Sequence, residues 1–123
     1  MVPAFEFRGA SRVVTLEAIA GVRLPETLAI ATDCPEKLRR GLWELRTYRG
    51  AAPALASDLA EVFPRAGIRP LLGAVNSPDL TYLIPFETLT ARDRAWTALN
   101  ADRGWTSVCT RFRSYHFGLY RSV

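Results

Sequence analysis

From residue 42 onward the sequence predicts an α+β fold, an antiparallel sheet with helices on one face. Three observations predict it. Side-chain chemistry alternates along Leu42-Trp43-Glu44-Leu45-Arg46-Thr47-Tyr48-Arg49, as on a strand whose two faces differ. Two later stretches repeat apolar residues at helical spacing. Between and after them lie runs rich in β-branched and aromatic residues, separated by turn residues. The order is therefore strand, helix, strand, strand, helix, strand.

Taken in order, the first strand places Trp43, Leu45 and Thr47 on one face and Leu42, Glu44, Arg46 and Tyr48 on the other. An acid, a guanidinium and a phenol in a row do not sit on a buried face unless something pairs with them. Gly50 to Pro53 is a turn, and Pro53 suits the first turn of a helix. Leu55, Leu59, Val62, Phe63 and Ala66 then recur at helical spacing, while Pro64 and Gly67 predict a kink or an end near Phe63. Ile68 to Asn76 and Leu80 to Glu87 form a hairpin around Ser77-Pro78-Asp79, with Pro85 marking a bulge or an edge. Thr90 and Asp93 have the spacing of a capping box. In the helix they open, Arg92, Trp96, Leu99 and Arg103 share one side. Gly104 suits a left-handed stop with Trp105 folding back on Leu99. Thr106 to Val123 reads as one long strand or two. This is the split βαβ of a ferredoxin-like βαββαβ sandwich over residues 41–123. Two helices cover only one face of such a sheet, so the other needs a partner, most simply a second copy in a homodimer.

Residues 1–40 are an N-terminal extension expected to pack on the core or on the partner subunit. Phe5, Phe7 and Val13-Val14-Thr15-Leu16 suit strands; Leu16, Ile19 and Ala20 suit a short helix equally well, with Val22-Arg23-Leu24 as its extended exit.

At 123 residues the chain is one domain, and 49% apolar content supports a real core. No apolar run approaches the ~20 residues of a membrane-spanning helix, and the first residues lack a signal-peptide pattern, so a cytoplasmic protein without membrane insertion is expected. The net charge of +4 is spread from Arg8 to Arg121 rather than gathered in a stripe, which argues against nucleic-acid binding. Cys34 and Cys109 read as reduced thiols, and with one histidine in the chain neither a protein metal site nor any cofactor is assigned.

Two segments carry a resemblance. Trp43-Glu44-Leu45-Arg46-Thr47-Tyr48 resembles the opening signature of NIPSNAP domains, an aromatic residue followed by Glu-Leu-Arg-x-Tyr. The stretch from Arg92 to Trp105 resembles the second signature, an Arg-x-x-x-Trp helix closing in Asp-x-x-Trp. The resemblance spans about residues 42 to 120. It implies a dimeric α/β barrel, two ferredoxin-like sheets closing face to face, in a family of unsettled biochemical activity. Gly50-Ala51-Ala52-Pro53 and the short helix after it depart from the family's Pro-Gly-rich turn and longer helix.

Glu44, Arg46 and Tyr48 are then expected to line the barrel interior. Arg46 would bind an anionic or enolate oxygen of a small apolar ligand, with Glu44 or Tyr48 as acid or base. The same residues equally suit a buried ion pair that holds sheets or subunits in register. His116 is the best general base, or an axial haem ligand, if its strand faces the cavity; otherwise it is a structural strand residue. Trp96 and Trp105 read as core, and Asp102 as a partner for the first strand or for solvent. Two functions follow from this reading: a small-molecule-binding barrel, whose sister families imply an enzyme acting on a small apolar oxygenated substrate, and a non-enzymatic protein–protein interaction or adaptor module.

Overall fold

The computed structural model describes residues 4–5, 12–20, 27–32 and 34–122. The elements are β1 (Ala4–Phe5), β2 (Arg12–Ala20), β3 (Thr27–Thr32), α1 (Glu36–Arg39), β4 (Leu42–Arg49), α2 (Leu55–Arg65), β5 (Leu72–Asn76), β6 (Asp79–Phe86), α3 (Leu89–Asn100), α4 (Trp105–Val108), a 3₁₀ turn at Cys109–Arg111, and β7 (Ser114–Ser122). From β4 onward this is βαββαβ with a short extra helix, and its four strands lie in the order β7-β4-β6-β5, all antiparallel. That is the ferredoxin-like order. The N-terminal strands extend the same sheet beyond β7, giving β1-β3-β2-β7-β4-β6-β5. Glu17 on β2 pairs with Arg121 on β7 across the new seam, Arg121 Nε donating to Glu17 Oε1 at 2.6 Å.

Strand register sorts the side chains. Glu44 stands opposite Ile84 and Leu119, Arg46 opposite Tyr82 and Phe117, and Tyr48 opposite Leu80 and Tyr115. These residues share the helix face. Its core joins Tyr48, Leu80, Ile84 and Phe86 to Leu55, Leu59, Val62 and Phe63 of α2 and to Ala95 and Leu99 of α3. Trp43, Leu45 and Thr47 pair with Pro85, Leu83 and Thr81 on β6 and with Tyr120, Gly118 and His116 on β7, on the opposite face. There Trp43, Leu45, Leu83 and Tyr120 form a second core with Leu16 of β2, Leu28 of β3 and Cys34.

The chain thus closes part of the face that was expected to stay open. Leu38 of α1 packs against this second core, and Trp43 Nε1 donates to the Arg39 carbonyl at 3.2 Å. Trp43 is completely buried within one chain. Burying an indole of this size is worth roughly 5 kcal/mol of apolar transfer, reason enough for the preceding segment to fold back over it. Gly41 permits the approach: a Cβ there would collide with the carbonyl oxygens of Phe86 and Glu87.

Several local expectations need correction. The cap of α3 is Thr88, whose hydroxyl accepts from Ala91 N at 3.0 Å, and not Thr90. Gly104 has φ −81°, so it does not end the helix in the left-handed region; the chain turns directly into α4. Residues 105–111 are consequently helical where a strand was expected, and only Ser114–Ser122 is extended. Helix α2 runs past Phe63 to Arg65, with Pro64 inside its last turn. The left-handed position after it is Gly67, at φ 77°. The strand expected from Ile68 begins at Leu72, while Ile68 is buried in the helix-face core. Val13 to Leu16 adopt the strand reading. Phe7 and Val22-Arg23-Leu24 lie outside the described residues.

Candidate functional site

Glu44 lies between the sheet and α3, fully buried. A buried carboxylate needs several donors, and three converge on it. Arg46 Nε donates to Oε2 at 2.6 Å, Arg92 Nε donates to Oε1 at 2.6 Å, and Trp96 Nε1 donates to Oε1 at 2.9 Å. The strand supplies the first donor from two residues away on the same face. Arg92 and Trp96 come from one face of α3, four residues apart, where helical geometry aligns their side chains. Arg46 then stacks on aromatic faces. Its guanidinium carbon lies 3.7 Å from the Trp96 ring centre, 4.6 Å from that of Tyr115 and 5.3 Å from that of Phe117. Contacts of this kind add about 0.5–2 kcal/mol each and fix the orientation of the guanidinium plane.

Beside this cluster a cleft of about 320 Å³ opens between β7 and the α3–α4 segment. Arg46 and Arg92 line it, together with Trp96, Trp105, Phe112, Tyr115 and Phe117, with Asn100 and Cys109 completing the wall. Two other hollows, of about 210 and about 250 Å³, flank α2 and are lined mainly by apolar residues.

The candidate residues are therefore brought together only in part. Glu44, Arg46 and Tyr48 share a face, but it is the helix face and not the inner face of a barrel closed sheet to sheet. Alternation makes the reason plain: Trp43 and Leu45 take the other face, where α1 and β2–β3 cover them. Tyr48 is fully buried behind Arg46, with its ring 4.8 Å from Phe112. Among the described residues its hydroxyl has no hydrogen-bond partner of good geometry, and burial pushes it up to about 12 against the opposing charge of Arg46. His116 pairs with Thr47 and so faces the opposite side of the sheet. The sheet separates it from Glu44, Arg46 and Tyr48, and the general-base and haem roles sketched for it at this site find no support in the geometry.

Trp96, expected in the core, completes the Glu44 cluster together with Arg92. The signal for them was present. A buried-face Glu needs partners, and Arg-x-x-x-Trp puts two nitrogen donors on one side of a helix. Asp102 pairs with neither the first strand nor solvent alone. It accepts from Arg65 Nε at 2.8 Å and Nη2 at 2.9 Å, and from Gly104 N at 2.8 Å, tying α2 to the end of α3. Arg65 first, and then the Gly104 amide, hold its carboxyl down at about 2. Among the described residues no group of three or more His, Cys, Asp and Glu side chains is placed to hold a metal ion. None of the described helices is long and apolar enough to cross a membrane.

Two solved structures resemble this chain. One is an uncharacterized NIPSNAP domain protein from Burkholderia xenovorans, 16% identical, aligned over 63% of this chain and 90% of its own with a TM-score of 0.45. The other is a NIPSNAP family protein of unknown function from Agrobacterium tumefaciens, 20% identical, aligned over 65% of this chain and 86% of its own with a TM-score of 0.49. No family model matches the chain, and no curated protein matches it.

Proposed function

We propose that this chain is a cytoplasmic NIPSNAP-like protein that binds a small molecule in the cleft between β7 and the α3–α4 segment. One observation carries the reading: Arg46 and Arg92, both locked through Nε onto the buried Glu44, both reach that aromatic cleft. Pockets of this size with a few fixed polar groups among apolar walls are the common form of small-ligand sites. Glu44 acts here as a counter-ion and orienter, since three donors already occupy it. Tyr48, held protonated, is limited to donating a hydrogen bond. The function supported is thus binding, with Arg46 and Arg92 as ligand contacts.

The resemblance also brings a homodimer. Because α1, β2 and β3 cover the surroundings of Trp43, a second copy would sit over the other half of that face, at Thr47, Thr81 and His116. The rival reading, an interaction module without a ligand, would use the edge strand β5, where Val75 is 76% exposed.

A cleft-filling variant separates the two. Asn100→Trp at the cleft wall should abolish one-to-one binding of an aromatic fluorescent probe and leave the fold intact by circular dichroism. Equal probe binding by the variant and the parent would reject the cleft as the site. Light scattering reports the oligomer in the same samples, and a monomer at high concentration would remove the homodimer.

A further inference from the structure

The charges and walls of the cleft specify more than size. We infer that its ligand is a flat monoanion, an aromatic or conjugated body bearing a single carboxylate or enolate oxygen; this rests on the small-molecule reading above. The charge count comes first. Two guanidinium groups face one carboxylate, so the buried cluster of Glu44, Arg46 and Arg92 carries one surplus positive charge. Asp93 approaches Arg92 Nη1 only at 3.4 Å, and its own side chain is 62% exposed, where solvent screens it. Among the described residues no acid lines the cleft. With Arg46 and Arg92 side chains 7% and 12% exposed, the surplus charge is poorly solvated and gains from an anion delivered to it.

The walls then set the shape. Trp96, Trp105, Phe112, Tyr115 and Phe117 present ring faces and edges, which pack best against another flat body. Arg46 already lies with its face against Trp96, and Nε of each arginine is committed to Glu44. Apart from Arg92 Nη1, which meets Asp93 at 3.4 Å, the terminal nitrogens are what remain for the ligand, and they suit a planar oxygen pair. A dianion would leave one charge unmatched among aromatic rings, and a cation would meet the same surplus as repulsion.

Isothermal titration with three probes of one shape tests this: naphthoate, neutral naphthylmethanol, and naphthylmethylammonium. Naphthoate should bind at least about tenfold more tightly than the alcohol at low salt, and the ammonium should not bind. Arg92→Gln should shrink that advantage, weakening naphthoate by a larger factor than the alcohol. Should that variant fail to fold, added salt on the unmodified protein serves instead, weakening naphthoate and not the alcohol. Equal affinity for naphthoate and the alcohol would overturn the monoanion and leave the small-molecule reading standing. Absence of binding by all three would overturn both.

Discussion

Replacing Glu44 with Gln is the most informative perturbation of the buried cluster. The best orientation of the amide keeps its oxygen at the Oε1 position, still accepting from Arg92 and Trp96. Its NH₂ group then points at Arg46 Nε, donor against donor, where the carboxylate had accepted at 2.6 Å. Arg46 is also left without a counter-ion, and Arg92 keeps only the exposed Asp93, with both guanidinium groups poorly solvated. Breaking a buried ion pair from one side costs ~3–5 kcal/mol, and this change sits squarely in that class. For a domain of this length that corresponds to a fall in Tm of ~12–20 °C, and to roughly 2 M in the urea midpoint if m is near 2 kcal/mol/M. Urea denaturation followed by tryptophan fluorescence measures it, with m unchanged as the sign that the unfolded state is not responsible. Adding Arg92→Met to Glu44→Gln removes one of the two uncompensated guanidinium charges, so the double variant should be more stable than the two single losses sum to. A loss below ~1 kcal/mol for Glu44→Gln, or additivity within ~0.5 kcal/mol in the cycle, would refute the clamp.

Other consequences follow from the same geometry. Tyr48→Phe removes a buried hydroxyl that has no hydrogen-bond partner of good geometry among the described residues, so it should leave stability at neutral pH unchanged or raise it by up to ~1 kcal/mol. Since burial raises the Tyr48 hydroxyl from 10.0 to about 12, it has no pH-dependent effect below pH 10, and the parent loses stability as pH rises from there toward 12. Alkaline denaturation should accordingly be shallower in Tyr48→Phe than in the parent, and equal slopes would count against it. Asp102 runs the other way: its folded value of about 2 lies below 3.8, so its contribution is present above pH 4 and disappears as pH falls toward 2. Asp102→Asn should lower Tm at neutral pH, and the gap to the parent should close near pH 2; a gap independent of pH would place the effect elsewhere.

The order of elements from residue 42 was legible because alternation on β4 and helical spacing in α2 and α3 are local signals. Less legible was the segment after α3. Thr106, Val108 and the aromatics nearby have strand propensity, yet Val108 is buried in the helix-face core and the chain turns back through α4 to reach it. Tertiary burial decided that outcome, and propensity did not. The Glu44-Arg46-Tyr48 face was also read correctly as one face, but the side it turns to depends on what covers Trp43. That cover comes from Leu16, Leu28 and Leu38, which lie in the part of the sequence with the weakest periodicity. Which face His116 takes was not legible, for the same reason that a one-residue slip reverses a strand: its parity is set by pairing with Thr47, and only the register reveals it.

The three indole N–H groups offer the most direct test of the central claim, that ligand sits on the helix face beside Arg46 and Arg92. Trp96 and Trp105 line the cleft, whereas Trp43 is sealed in the opposite core with its N–H on Arg39. In a proton–nitrogen correlation spectrum titrated with naphthoate, the Trp96 and Trp105 indole signals should move together and saturate at one equivalent, while that of Trp43 stays fixed. Movement of the Trp43 signal with those of Trp96 and Trp105 at rest would place the ligand on the wrong face and contradict the account.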